Sequence, residues 1–344
     1  MHQDSIKKIN DDITRTKRAI ISLGCSFVQG HGAINESVYK NYKWEGVKYG
    51  TPSVIWDQSN LSQLAKLITE FPDIIIRDDR TIDFSRHEIK NAFCNVLATK
   101  YFEGAYASIN LGRSGCGNRA TIKELYFYPE INWKELNEII VIYCPSGTER
   151  FDFIDDVHHE LNNHPRWTCI WPSILDNNGP SQMLWQGYKE AIYSPKYEIM
   201  EQISHIQELM LWCECKNAKL IIVPSFADVY NVENFIGSIS QKIERDPTNR
   251  KITKSSNDIS ASLKSASELA NMWPWDKMFK PDGKPTFIDL AMKQEFPNDE
   301  TYPWFYTYIS EGSPNGWVTP CCHPSAKAHD LFAKYLHKHI EENL

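Results

Sequence analysis

The chain has 344 residues, 42% hydrophobic and 24% charged, enough to bury a sizeable core in one large α/β domain or two smaller ones. Its 37 Lys and Arg against 44 Asp and Glu leave a formal net charge of −7, the wrong sign for a protein that grips nucleic acid by neutralising phosphates. It has no run of 18 apolar residues, and the opening MHQDSIKKINDDITRTKR has no apolar h-region, so neither a membrane span nor a signal peptide is expected.

Residues 1–17 read as an N-terminal extension. Four short runs rich in Ile and Val follow, at 18–23 (RAIISL), 105–111 (AYASINL), 138–143 (EIIVIY) and 219–223 (KLIIV). None alternates cleanly between apolar and polar residues, which predicts strands covered on both faces. Helical patterns lie at 117–128, 194–215 and 325–342; Ser325, behind Pro324, offers a hydroxyl to cap the last of them. Strands alternating with helices predict an α/β fold with a central parallel sheet and right-handed crossovers, one domain over 18–344. The intervals 31–104, 151–195 and 225–310 read as insertions, and the polar stretch 245–258 as a loop. Nine cysteines, odd in number and scattered, predict reduced thiols and a cytoplasmic location.

The first strand runs into Gly24-Cys25-Ser26-Phe27-Val28-Gln29-Gly30. A Ser there lies at the carboxyl end of the sheet, where open α/β folds hold ligands, and the glycines permit the tight path that exposes its hydroxyl. The helix that follows would aim its N-terminus at the same spot. A mere N-cap role for the Ser is the plain alternative. After the second strand comes Asn110-Leu111-Gly112-Arg113-Ser114-Gly115-Cys116-Gly117-Asn118, whose glycines let backbone N–H groups converge on an anion. Gly112, Gly115 and Gly117 miss the spacings of both glycine-rich nucleotide motifs, which disfavours a phosphate loop. Near the C-terminus, Cys321-Cys322-His323-Pro324-Ser325 puts His323 in a loop from which its imidazole can reach another loop at the sheet's edge. His329, within the helix beyond, is expected to face solvent or a neighbouring helix.

In this order the three segments resemble the SGNH (GDSL-type) hydrolases, a family with a flavodoxin-like three-layer α/β/α sandwich that cleaves esters, often acyl esters of carbohydrates or lipids. Gly24-Cys25-Ser26 is similar to the family's Gly-Asp-Ser block, which makes Ser26 the implied nucleophile. The segment 110–115 resembles its Asn-x-x-x-Ser-Gly block and implies Gly115 as an oxyanion donor beside the Ser26 backbone N–H. His323-Pro324 matches the end of Asp-x-x-His-Pro, and His323 becomes the implied base. Three positions depart from the pattern. Cys25 replaces the Asp beside the nucleophile. Cys144-Pro145-Ser146-Gly147 stands where Gly-x-Asn-Asp would follow the third strand, so the side-chain oxyanion donor is sought at Asn118, or Arg150 approaches the substrate instead. Pro320 occupies the place of the triad acid, so His323 needs another orienting group: a backbone carbonyl, Glu311 or Asp289.

The resemblance implies a serine esterase without metal or cofactor, acting on an acylated small molecule or glycan. Trp44, Trp56, Trp167, Trp171 and Trp185 would stack on sugar rings or simply pack the insertions. The alternative is a weak or inert scaffold of the same shape, a binding or structural component of a larger assembly. A flavodoxin-like or nucleotide-binding domain rests only on the glycine loop. His158, His159 and His164 nearly spell a zinc-protease helix, but the five-residue step from His159 to His164 turns the second imidazole off the face of the first. Cys213 with Cys215, and Cys321 with Cys322, lack the paired arms of a structural zinc site and read as buried thiols. A thiolate at Cys25 would need a lowered pKa to act as nucleophile.

Overall fold

All four Ile- and Val-rich runs are strands: β1 (Arg18–Gly24), β2 (Ala107–Asn110), β3 (Glu138–Cys144) and β4 (Lys219–Ile222). The computed structural model describes residues 3–35, 66, 68–76, 82–113, 116–147, 150–154, 167–170, 195–225, 268, 271–299, 312–319 and 322–344. The strands form a parallel sheet in the order β2-β1-β3-β4, with Ala19 opposite Ala107, Arg18 opposite Glu138 and Ile140 opposite Lys219. Helices that serve it are α1 (Gln3–Thr16), α2 (Ser26–Gln29), α3 (Ser85–Asn91), α4 (Phe93–Val96), α5 (Asn118–Lys123), α6 (Pro195–Cys215), α7 (Phe287–Glu295) and α8 (Ala326–Asn343).

Successive side chains of a strand point to opposite faces, and both faces here are covered. Ile21, Leu23, Val141 and Tyr143 pack with Ile13 of α1, Ile122 of α5 and Leu209 of α6. Ile20, Ile140 and Ile142 face the other way, onto Phe93 of α4, Leu290 of α7 and Phe332 of α8. Burial on both sides is why the strand sequences show no polar alternation. In α8 the buried positions Ala328, His329, Phe332, Ala333, Leu336 and Ile340 recur three or four residues apart, which lays one stripe on the sheet.

Three expectations change. The segment 1–17 is no appendage, because α1 carries the fully buried Ile13 into the core. Parts of the supposed insertions are layers of the fold: Phe93 and Leu97 from the first interval and Phe287 and Leu290 from the last are fully buried. In the second, Phe151–Ile154 and Trp167–Ile170 pair as a small antiparallel ladder. Ser325 is the N-cap residue of α8, but its buried hydroxyl makes no cap bond and has no partner among the described residues. The stretch 245–258 lies outside them. No helix among the described residues is long and apolar enough to cross a membrane.

The strand order turns between β1 and β3, since the chain continues from β1 to β2 on one side and from β3 to β4 on the other. In an open parallel sheet such a turn leaves a crevice at the carboxyl ends of the two strands, where ligands bind. Ser26 lies just past the end of β1, separated from it by Cys25.

Candidate active site

At the end of β1, a Cβ on Gly24 would collide with Val28 Cγ2 and lie 2.7 Å from the Cys144 carbonyl oxygen. Only glycine fits between β3 and the next turn. Cys25 then points into the core: it is fully buried, with Sγ 3.7 Å from Ser225 Oγ, which in turn donates to Cys144 O at 3.1 Å. A small uncharged side chain suits that place, and the thiol is kept within the packed interior. Cys25, not Ser26, is the N-cap residue of α2, and it makes no side-chain cap bond. The helix itself is one turn, closed by Gly30 in the left-handed region at φ 91°. The full helix dipole expected behind Ser26 is therefore reduced to the N–H groups of a single turn.

Neighbouring loops fix this turn. Asn110 Nδ2 donates to Val28 O at 3.0 Å and to Gln29 O at 3.4 Å, while its Oδ1 accepts from Gly112 N at 2.9 Å. Gly112 approaches so closely that an added Cβ would lie 2.8 Å from the Val28 carbonyl carbon and against Gln29 N. Arg113 N donates to Gly24 O at 2.9 Å. From α3, Glu88 Oε1 accepts from Gly32 N at 2.8 Å and Asn91 Nδ2 donates to Ala33 O at 3.1 Å. Burial pushes the Glu88 carboxyl up to about 7.

A second knot carries His323. The Glu295 carboxylate, buried at the end of α7, accepts from Ser313 Oγ at 2.5 Å, Asn315 N at 2.6 Å and Trp317 N at 3.3 Å. Thr319 N and Oγ1 donate to His323 O at 2.9 and 3.0 Å, and Cys322 N donates to Thr319 O at 2.8 Å. Cys322 adopts φ 61°, a left-handed conformation that costs a non-glycine residue on the order of 1 kcal/mol or more. Ala326 N donates to Ile34 O at 3.2 Å, which ties this knot to the loop behind Ser26. The outcome is a distance of 2.8 Å between His323 Nε2 and Ser26 Oγ. Ser26 is 7% exposed and His323 half-buried. The rings of Phe27 and His31 lie 5.0 and 4.7 Å from the His323 ring. Burial lowers the His31 pKa to about 4, so that ring is neutral at pH 7. A hydroxyl hydrogen-bonded to an imidazole can give up its proton as its oxygen attacks an electrophilic carbon.

The structure thus brings Ser26 and His323 together, and it assigns several other residues differently. Asn118 Nδ2 donates to Gln202 Oε1 at 2.8 Å and Ser146 O at 3.2 Å, and its Oδ1 accepts from Ser146 N at 2.8 Å. Both amide N–H groups are directed at internal acceptors, which corrects the expectation of an oxyanion donor there. Arg150 Nη1 donates to Cys116 O at 2.9 Å, so it braces the glycine loop. Asp289 holds the start of α7: its Oδ2 accepts from Thr286 Oγ1 at 2.5 Å and its N–H donates back at 3.1 Å, a reciprocal cap. Gly115 and Glu311 lie outside the described residues. His329 is fully buried, its Nδ1 accepting from Phe93 N at 3.2 Å and its ring beside Phe93 and Phe287, so it faces neighbouring helices and not solvent.

Of the metal-like signals, His158, His159, His164 and Cys321 lie outside the described residues, Cys213 and Cys322 are buried, and Cys215 is exposed. Trp44, Trp56, Trp171, Trp185 and the side chain of Trp167 also lie outside them. Glu88, Asn91, Glu295 and His31 escaped the sequence reading. So did Asp152, whose carboxylate accepts from Gly117 N at 2.8 Å and Ala120 N at 3.0 Å at the head of α5. Only the Asn110-x-Gly112 spacing, an Asx-turn signal, could have announced its clamp. No protein-family model matches the chain, and no curated protein matches it.

Proposed function

We propose that this chain is a serine ester hydrolase on the flavodoxin-like plan of the SGNH (GDSL-type) family, removing acetyl or other acyl groups from a carbohydrate in the cytoplasm. The reading rests on one observation, the 2.8 Å contact between Ser26 Oγ and His323 Nε2 across nearly the whole length of the chain. The strand order β2-β1-β3-β4 and the position of Ser26 at the turn in that order support it.

In the proposed reaction Ser26 Oγ attacks the ester carbonyl while His323 Nε2 takes its proton. The tetrahedral oxyanion is held by the backbone N–H groups of Ser26 and Gly115. Its collapse breaks the bond to the alcohol, which leaves with the proton from His323, and Ser26 remains acylated. Water then attacks the acyl carbon, His323 accepts one of its protons, and the bond to Oγ breaks as that proton returns to Ser26. With Asn118 engaged elsewhere, backbone donors carry the oxyanion in this scheme, and His323 is oriented by a backbone carbonyl, Glu311 or Asp289.

Purified protein offered p-nitrophenyl acetate and an acetylated oligosaccharide is expected to release acetate. Ser26→Ala and His323→Ala are each expected to lower turnover by about 10⁴-fold or more, as when one member of a cooperating nucleophile and base is removed. Equal rates for all three proteins would overturn the reading in favour of an inert scaffold.

A further inference from the structure

His323 is restrained by more than its bond to Ser26. The His31 ring lies 4.7 Å from the His323 ring, inclined at 59°. It is 7% exposed. It is also tied to the nucleophile, since His31 N donates to Ser26 O at 3.0 Å, and the two residues after it are pinned to α3 through Glu88 and Asn91. Resting on the hydrolase reading above, we propose that His31 is a positioning residue that keeps the His323 imidazole aimed at the reacting carbon once Ser26 is acylated.

The need arises from the chemistry of the intermediate. Before acylation the Ser26 hydroxyl donates to Nε2 and so aims the ring. In the acyl-enzyme Oγ is an ester oxygen with no proton, and that bond is gone when His323 must collect a proton from water. Ring contacts survive this change because they require no proton on Oγ. Phe27 belongs to the same turn as the acylated serine, whereas His31 comes from the stretch anchored on α3. A neutral ring beside His323 also avoids placing two cations together when the base becomes imidazolium.

The test has a structural arm and a kinetic arm. Ser26→Ala removes the hydroxyl permanently and stands in for the acylated state. In histidine-labelled Ser26→Ala protein the His323 ring resonances are expected to remain one sharp set. Adding His31→Ala should broaden or split them, and His31→Phe in its place should restore them. Identical spectra with and without the His31 ring overturn the proposal whatever the substrate.

In the kinetic arm, His31→Ala in the otherwise unchanged protein should slow deacylation of acetylated Ser26 by about 10- to 100-fold, the scale of a misplaced catalytic group. Acylation, still guided by the hydroxyl, should suffer less. Acetyl-enzyme then accumulates in the mass spectrum after p-nitrophenyl acetate, and kcat and KM fall together. His31→Phe should recover most of the loss. Equal slowing of both steps overturns the proposal and marks His31 as merely structural. If His31→Ala fails to fold, His31→Phe against His31→Gln carries the comparison, because the first keeps the ring and the second only a polar group. Should wild-type protein form no acetyl-enzyme, the hydrolase reading fails, and the resonance arm still decides whether His31 restrains the base.

Discussion

The loops that carry Ser26 and His323 reach the same point by opposite means. The turn around Ser26 is set by exclusion: Gly24 and Gly112 sit where a single methyl would meet backbone or Val28, and short-range amide contacts from Asn110 close the gap. The knot around His323 is set by attraction, with one buried carboxylate, Glu295, gathering three donors and a left-handed Cys322 completing the bend. Steric walls are stiff and insensitive to solvent, while a carboxylate hub depends on every donor being satisfied. The nucleophile side should therefore break when volume is added, and the base side when charge is removed.

The largest effect on turnover is expected from Gly24→Ala. Its methyl group has no room between Cys144 O and Val28, so β1, β3 or α2 must move, and overpacking of this kind typically costs about 1–3 kcal/mol, occasionally more. Because Ser26 is two residues away, turnover of p-nitrophenyl acetate should fall by about 100-fold or more. Wild-type turnover in this variant would show that the turn has slack. Glu295→Ala comes next. It leaves Ser313 Oγ, Asn315 N and Trp317 N without their acceptor, at about 1–3 kcal/mol for each donor that water fails to reach. Amide hydrogen exchange should accelerate across 313–319 while the amides of β1 and β3 keep their protection. Uniform acceleration over the whole sheet would mean that the knot is part of the global core and not a separate support.

That contrast also explains what the sequence could reveal. Strands, the glycine-flanked serine and the last helix are local patterns, legible because each depends on residues within a few positions of one another. The pairing of Ser26 with His323 was reachable only through a resemblance, since no periodicity links positions 297 residues apart. The hubs were illegible for the same reason: Glu295 looks like any polar residue at a helix end until the 313–317 backbone folds over it. Asn118 was misread because an Asn in a glycine loop offers N–H groups to any acceptor, and only the placement of Gln202 and Ser146 decides which one takes them. The extension was misread because α1 has only a few apolar positions, among them Ile9 and Ile13, spaced to meet a sheet that the sequence cannot display.

The nucleophile side does contain one ionisable hub, Glu88, and it gives a sharper version of the comparison. Burial raises its pKa from 4.5 to about 7, so the folded protein holds a proton that the unfolded chain releases near 4.5. The folded state then binds more protons between those values, and stability falls as pH rises from about 4.5 through 7. Glu88→Gln keeps a carbonyl oxygen for Gly32 N without the ionisation. Chemical denaturation should find the variant and wild type alike near pH 4, and the variant more stable by up to about 3 kcal/mol at pH 8. A constant gap across that range would mean that Glu88 ionises normally in the fold.

The smallest effect separates two histidines six positions apart. His323 sits half-buried at the crevice, whereas His329 is fully buried beside Phe93 and Phe287, and burial lowers its pKa to about 3. Below pH 6.5 the unfolded chain gains a proton that the folded state refuses until about 3, so stability is lost as pH falls through this window. His31 and His205, each lowered to about 4 by burial, act in the same direction. His329→Phe removes one of these terms. It forfeits the acceptor for Phe93 N, and it also removes Nε2, which has no partner among the described residues, so at pH 7 the two changes offset each other in part. On lowering the pH from 7 to 5 the variant should lose about 2 kcal/mol less than wild type. Its turnover at pH 7 should match wild type, in contrast to His323→Ala. Parallel pH curves for the two proteins would show that His329 is protonated without opening the fold, and a loss of turnover would tie the packing of α8 to the aim of the base.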